Sequence, residues 1–201
     1  MFGFRYVKFP PTMHVIQYRN GRIVRQGAGL SFFYFTPNSI IVSVRVASAD
    51  VPFIFNEVTA DFQDVAIQGE LTFRIKDPKA LAAILDFSHD ASGRYRSNDP
   101  ERLNERLIHA AQILARSFTQ RQQMRDLLIK SDELVEEMLA GLRASPAVEL
   151  LGVEVLGLSI LSIKASPEMS KALQAEAREQ LLRKADEAVF LRRNSAASSS
   201  S

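Results

Sequence analysis

The chain has 201 residues, of which 46% are hydrophobic and 24% charged, and 25 Lys and Arg against 23 Asp and Glu leave a formal charge of +2. That is an ordinary globular composition, and a chain this long buries enough surface to fold without staples. Cysteine is absent, which excludes disulfides, thiolate metal sites, a cysteine nucleophile and S-palmitoylation, and fits a reducing compartment.

The near-neutral total hides a split. Met1 to Ala49 contains six basic residues (Arg5, Lys8, Arg19, Arg22, Arg25, Arg45) and no acidic one, and nine of the 17 Phe and Tyr lie in the first 35 positions. A greasy, positive end suits an anionic membrane surface, where rings settle at the headgroup boundary beside Lys and Arg, or a nucleic acid, whose bases stack on rings. The longest apolar run, Leu30 to Phe35, is far short of the roughly 18 to 20 residues that span a bilayer. The N-terminus has no signal-peptide layout, and Phe2 stands where N-myristoylation needs Gly. The sequence is therefore expected neither to span a membrane nor to be secreted. Residues 1–11 are expected to be a membrane-contact segment. The Gly27-Ala28-Gly29 bend leads into an aromatic loop, Leu30 with Phe32, Phe33, Tyr34 and Phe35, expected to lie beside Phe2, Phe4, Arg5 and Phe9.

In chain order, Thr12 to Tyr18 and Arg22 to Gln26 flank Asn20-Gly21, a pair that accepts a type I′ turn, and predict a hairpin. Ile40, Val42, Val44 and Val46 alternate with Ile41, Ser43 and Arg45, predicting a strand with one apolar face. Another strand is expected over Val51 to Glu57. The cleanest alternation, Val65 to Lys76, predicts a long strand with one wet face. Asp77-Pro78 and Asp99-Pro100 each read as a capped helix start, the second opening an apolar stripe of Leu103, Leu107, Ala110, Ala111, Leu114 and Phe118. Thr119 with Gln122 forms a capping-box pattern for a helix to about Ile129. Ser131 or Asp132 starts another to about Arg143. Val153 to Ile163, interrupted at Gly157, predicts a returning strand. Ser166-Pro167-Glu168 opens a helical arm over 166–193, with Leu173, Ala177, Leu181, Ala185, Ala188 and Leu191 near one face. Residues 194–201 are a Ser/Ala tail expected not to fold.

No catalytic constellation is legible. His14, His89 and His109 lack metal-ligand spacing, no cofactor fingerprint is complete because Phe32 occupies the third glycine position after Gly27 and Gly29, and no Walker lysine or nucleophile elbow is present. The carboxylate pairs Asp61/Asp64 and Glu136/Glu137 read as solvated.

The run Thr59-Ala60-Asp61-Phe62-Gln63-Asp64-Val65-Ala66-Ile67-Gln68-Gly69-Glu70-Leu71-Thr72-Phe73-Arg74-Ile75-Lys76-Asp77-Pro78 resembles the central strand of the stomatin, prohibitin and flotillin superfamily, the SPFH or band 7 domain. So does Leu151 to Ile163, followed by Pro167-Glu168 and Lys171 to Glu179; with the Gly27 to Phe35 loop, the resemblance covers about residues 10 to 193. It implies an α+β fold, a mainly antiparallel sheet packed by helices over 12–165 and followed by an extended C-terminal helix that starts a coiled coil. It also implies a non-enzymatic, cofactor-free scaffold that forms homo-oligomeric rings or larger assemblies on membranes. Similar chains carry a hydrophobic N-terminal segment or acylated cysteines; here attachment would rest on aromatic insertion and basic residues, peripherally and on the cytoplasmic side. A membrane protease or channel is a further expected partner, through the helical face around Asn104 to Arg143. Nucleic acid is disfavoured, because the wet face of the long strand offers Gln68, Glu70, Thr72 and Arg74 rather than rings.

Overall fold

The structure, a computed structural model, describes residues 3–198, with side-chain surroundings through Arg192. Three antiparallel sheets are built from the N-terminal half and one late strand. β1 (Phe4–Lys8) and β4 (Ser31–Phe35) make a two-stranded ribbon, and β2 (Met13–Arg19) lies between β3 (Arg22–Ala28) and β5 (Ser39–Arg45). The central sheet runs in the order β6 (Ala49–Val58), β7 (Asp64–Ile75), β8 (Val153–Ala165). Asn20 and Gly21 turn the β2–β3 hairpin with φ of 49° and 77°, the left-handed pair that a type I′ turn requires.

The middle sheet separates two apolar cores. Val15 and Ile41 on one face pack with Phe32 and Tyr34 and with the half-buried Val7, Phe9 and Leu30. Ile16, Val42 and Val44 on the other face join the main core. This corrects the expectation of one apolar face for Ile40 to Val46: Ile41 and Ser43 are buried, while Ile40, at the strand's start, is exposed. A strand covered on both faces gives alternation no reason to persist.

β7 alternates as expected. Val65, Ile67, Leu71, Phe73 and Ile75 face the main core, and on the wet face Thr72 donates to Asp50 at 2.7 Å and Arg74 pairs with Glu154 at 2.6 Å. Gly69 leaves a gap in the apolar row that its cross-strand partner Phe53 fills. A Cβ at 69 would lie 2.5 Å from the Phe53 ring and 2.4 Å from the Ser159 carbonyl oxygen. Phe53 stacks in turn on Phe55, centroids 4.3 Å apart. β8 pairs with β7 through two register shifts that leave Leu156 and Leu161 as extra residues. The first bulge adjoins Gly157, where the alternation breaks, and Arg143 donates to the carbonyl oxygens of Val155 and Leu156 there, at 3.2 and 3.0 Å.

Helices cover the inner face of the central sheet. α1 (Pro78–Ile84) is capped as expected, Asp77 accepting from the Lys79 and Ala80 N–H groups at 3.0 Å each. α2 (Asp99–Thr119) begins differently: the Asp99 carboxylate accepts from the Asp86 N–H at 2.7 Å and so fastens the preceding loop instead of capping its own helix. The predicted stripe is otherwise right, with Leu103, Leu107, Ala111 and Phe118 buried over β6. The Thr119/Gln122 capping box does not form. α3 (Met124–Ile129) starts later, and its Met124 N–H is met from the β6–β7 turn by Asp61 at 3.0 Å. α4 (Ser131–Arg143) packs on α2 and β8, and a short α5 (Pro146–Leu150), unforeseen in the sequence, precedes β8.

α6 (Pro167–Ser198) follows β8 after one intervening residue, Ser166, whose hydroxyl accepts from the Met169 N–H at 3.2 Å. The helix continues through Ser198, where an unfolded tail from Asn194 was expected. Extending an existing helix adds one hydrogen bond per residue fixed, and Ala is the best helix former, so a Ser/Ala segment that would not nucleate a helix can prolong one.

Candidate membrane-contact surface

The aromatic segment is a ribbon, not a loop, and the pairing decides which rings are available. Phe4 lies opposite Phe35, Tyr6 opposite Phe33 and Val7 opposite Phe32. Because side chains alternate across a strand, Phe4, Tyr6, Phe33 and Phe35 share the outer face while Phe32 and Tyr34 point toward β2 and β5. Phe4 is 71% exposed, Phe33 70% and Tyr6 53%, and Phe35 is half-buried. The outer rings pair across the strands, Phe4 with Phe35 at 5.2 Å and Tyr6 with Phe33 at 4.9 Å between centroids.

Phe32 and Tyr34 are buried, so two of the expected contact residues are core. Leu30 and Phe9 are half-buried in the same small cluster, and the Phe9 N–H donates to the Leu30 carbonyl at 3.0 Å. Arg5 is exposed, and Phe2 lies outside the described residues. Tyr6 joins the outer face although the sequence did not single it out for contact; its parity with Phe4 was the available signal. Arg19, Arg22 and Lys8 are exposed, and Arg25 lies over the Phe32 ring at 5.1 Å. Among the described residues none of the ion pairs includes Arg5, Lys8, Arg19, Arg22 or Arg25. Lys8, on the face of the exposed rings, and cations without carboxylate partners elsewhere in the same N-terminal sheets are features that an anionic bilayer interface accommodates.

One pair of side chains has the form of a nucleophile and its base. The Ser43 hydroxyl lies 2.6 Å from His89 Nε2, and His89 Nδ1 lies 2.9 Å from the Gly93 carbonyl oxygen. A carbonyl only accepts, so Nδ1 carries the proton and Nε2 accepts from Ser43. Ser43 is 0% exposed in mid-strand, closed to any substrate. Tyr95 donates to the Ser43 carbonyl at 3.1 Å, and the His89 N–H donates to the Ile41 carbonyl at 2.9 Å. The set fastens the loop after α1 along the free edge of β5. Its members stand too far apart in sequence to form a readable motif.

The SPFH domain / Band 7 family model matches residues 8–194. The chain belongs to that family. A comparison with curated proteins finds no match. SPFH domains are generally membrane-associated and scaffold-type, and among the described residues of this one no helix is long and apolar enough to cross a membrane.

Among the described residues, the contacts of this SPFH domain's arm with the domain lie at its base. Met169 and Leu173 pack on the main core, and Glu176 pairs with Arg125 of α3 at 3.2 Å. Of the expected arm residues, Leu173 therefore touches its own domain, whereas Ala177, Leu181, Ala185, Ala188 and Leu191 are exposed. Leu182, Val189 and Phe190, outside the expected stripe, are exposed as well.

Proposed function

We propose that this SPFH domain is a non-enzymatic peripheral scaffold that binds the anionic, cytoplasmic face of a membrane through its β1–β4 ribbon and self-associates through its domain and arm to organise membrane patches or membrane proteins. The observation that carries the reading is the outer face of the ribbon, where Phe4, Tyr6 and Phe33 stand exposed on the same face as Lys8. Fully desolvating a Phe contributes about 1.5–3 kcal/mol, and each basic residue near an anionic leaflet about 1 kcal/mol. A few such terms support reversible attachment without a lipid anchor.

The test is flotation with phosphatidylserine liposomes. Phe4→Glu with Phe33→Glu should abolish flotation and leave the thermal midpoint in place, because both side chains are largely exposed. A double variant that floats like the parent would place the contact elsewhere, and binding of single-stranded oligonucleotides in place of liposomes would reassign the surface. A second reading, a regulatory partner of a membrane-bound protease or channel, is supported by an apolar groove on the helical face between Asn104 and Arg143.

A further inference from the structure

That groove, about 1000 Å³, lies between α2, the last turns of α4 and α5, and reaches the end of α1. Ile113, Leu150 and Ile84, all in its lining, are 55%, 68% and 46% exposed. Its floor includes Leu107 and Leu142. Gly141 leaves α4 bare there, since a Cβ at that position would lie 2.7 Å from the Leu114 side chain. A concavity with this much open apolar surface takes an amphipathic helix whose anchors recur at i, i+4 and i+7.

The chain itself supplies such a helix. Beyond Glu176 the arm exposes Leu181, Leu182 and Val189 (69%, 60% and 50%) with Ala185 and Ala188, and positions 181, 182, 185, 188 and 189 fall on one face of an α-helix. This stripe spans about 12 Å and the stretch of α2 lining the groove, Glu105 to Leu114, about 14 Å, at 1.5 Å per residue. Arg178 bounds the stripe, and of the two charged side chains lining the groove, Glu105 and Arg106, Glu105 offers it the opposite sign. The arm of the same molecule is held at its base by Met169, Leu173 and the Arg125–Glu176 pair. It contains no Gly or Pro after Pro167 at which to fold back. Pairing of arm with arm is the poorer match: the seam Leu181, Ala185 and Ala188 is two-thirds alanine, so it buries little, and at heptad spacing it continues into Arg178 and Arg192 at its two ends.

We propose that the Leu181–Val189 stripe of one copy seats in the α2/α4/α5 groove of the next, so that each copy gives an arm and receives one. The contact is head-to-tail and propagates until it closes on itself. The proposal rests on the self-association reading above and names the surface that performs it.

The absence of native cysteine makes the test direct. Chains of residues 1–201 carrying Ile113→Cys or Leu182→Cys are oxidised separately and mixed, in solution and on phosphatidylserine liposomes. The expected result is a disulfide-linked dimer in the mixture only. Leu182→Cys alone linking as strongly as the mixture would mean that arms pair with each other, and overturns the proposal. In parallel, Ile113→Arg (groove blocked, arm intact) and Leu182→Glu (arm blocked, groove intact) are followed by light scattering, with circular dichroism to confirm folding. Each alone should be a monomer, and the two together should double in mass and stop there, because one usable groove and one usable arm remain. An assembly that persists in Ile113→Arg overturns the groove while sparing self-association. A parent chain that is monomeric under all conditions overturns self-association, and the groove proposal with it.

Discussion

Asp61 joins two segments that are far apart in sequence. Its carboxylate accepts from the Thr59 hydroxyl at 2.6 Å within the β6–β7 turn and from the Met124 N–H at 3.0 Å at the start of α3. The Thr59 hydroxyl above all holds its pKa below the ordinary carboxylate value; burial opposes it, and the Met124 N–H adds a smaller lowering. A group depressed in the folded state stabilises above its unfolded pKa, about 3.9, and loses that contribution as pH falls through the lower folded value. Asp61→Asn should therefore cost about 0.5–2 kcal/mol in urea denaturation at neutral pH, the range of a helix cap, and the gap from the parent should close as the pH falls below 4. Glu57 makes a second long-range tie: almost fully buried at the end of β6, it accepts from Arg116 Nε and Gln112 Nε2 of α2, both at 2.8 Å. The carboxylate beside Arg116 raises the guanidinium pKa further. Arg116→Met should lower the urea midpoint by stranding the carboxylate, and adding Glu57→Gln should restore part of the loss. Neither tie was legible in the sequence. Asp61 paired with Asp64 looked like a solvated strand entrance, because a side chain that caps a helix 63 positions away leaves no local pattern.

At the scale of elements, legibility followed the number of covered faces. β7 was read nearly to the residue because one face is wet and its polar and apolar positions alternate. β4 was missed because Phe32-Phe33-Tyr34-Phe35 puts aromatics on both faces, one against the small core and one outward, and periodicity vanishes. α5 was missed because one short turn of helix carries no period to detect. Gly69 shows how a broken pattern can be informative: the missing side chain in the row is the seat of the Phe53 ring. Gly69→Ala meets both that ring and the backbone oxygen of Ser159, which cannot step aside as a flexible side chain can. Overpacking of this kind should cost about 1–3 kcal/mol, read as a lower denaturation midpoint.

For the whole molecule, the division of charge matters more than its sum. Residues 1–49 carry all their charge as six cations, and residues 50–201 balance 19 basic against 23 acidic side chains, so attraction to an anionic surface would turn the ribbon toward it. Only the Coulomb part of that attraction is screened, with a Debye length of about 10 Å at 0.1 M salt and about 3 Å at 1 M. Liposome binding should therefore weaken with added salt and level off above zero, the plateau reporting the rings. The family was legible from the strand and arm segments, and the matched residues 8–194 agree with it. The division of the ribbon into buried and exposed rings was not, since it depends on a strand register that four adjacent aromatics conceal.

Between the central sheet and the arm there is almost no slack. Ser166 alone separates β8 from α6, its carbonyl accepts from the Ser170 N–H at 2.8 Å and its hydroxyl from the Met169 N–H. A helix of this length, about 48 Å, works as a lever: rocking its root by roughly 10° carries the tip about 8 Å. Strand twist at β8 is thereby magnified into arm pitch. In any closed assembly of copies that pitch fixes how many members complete the circle, so ring size would be tuned at the joint, by residues that touch no neighbour.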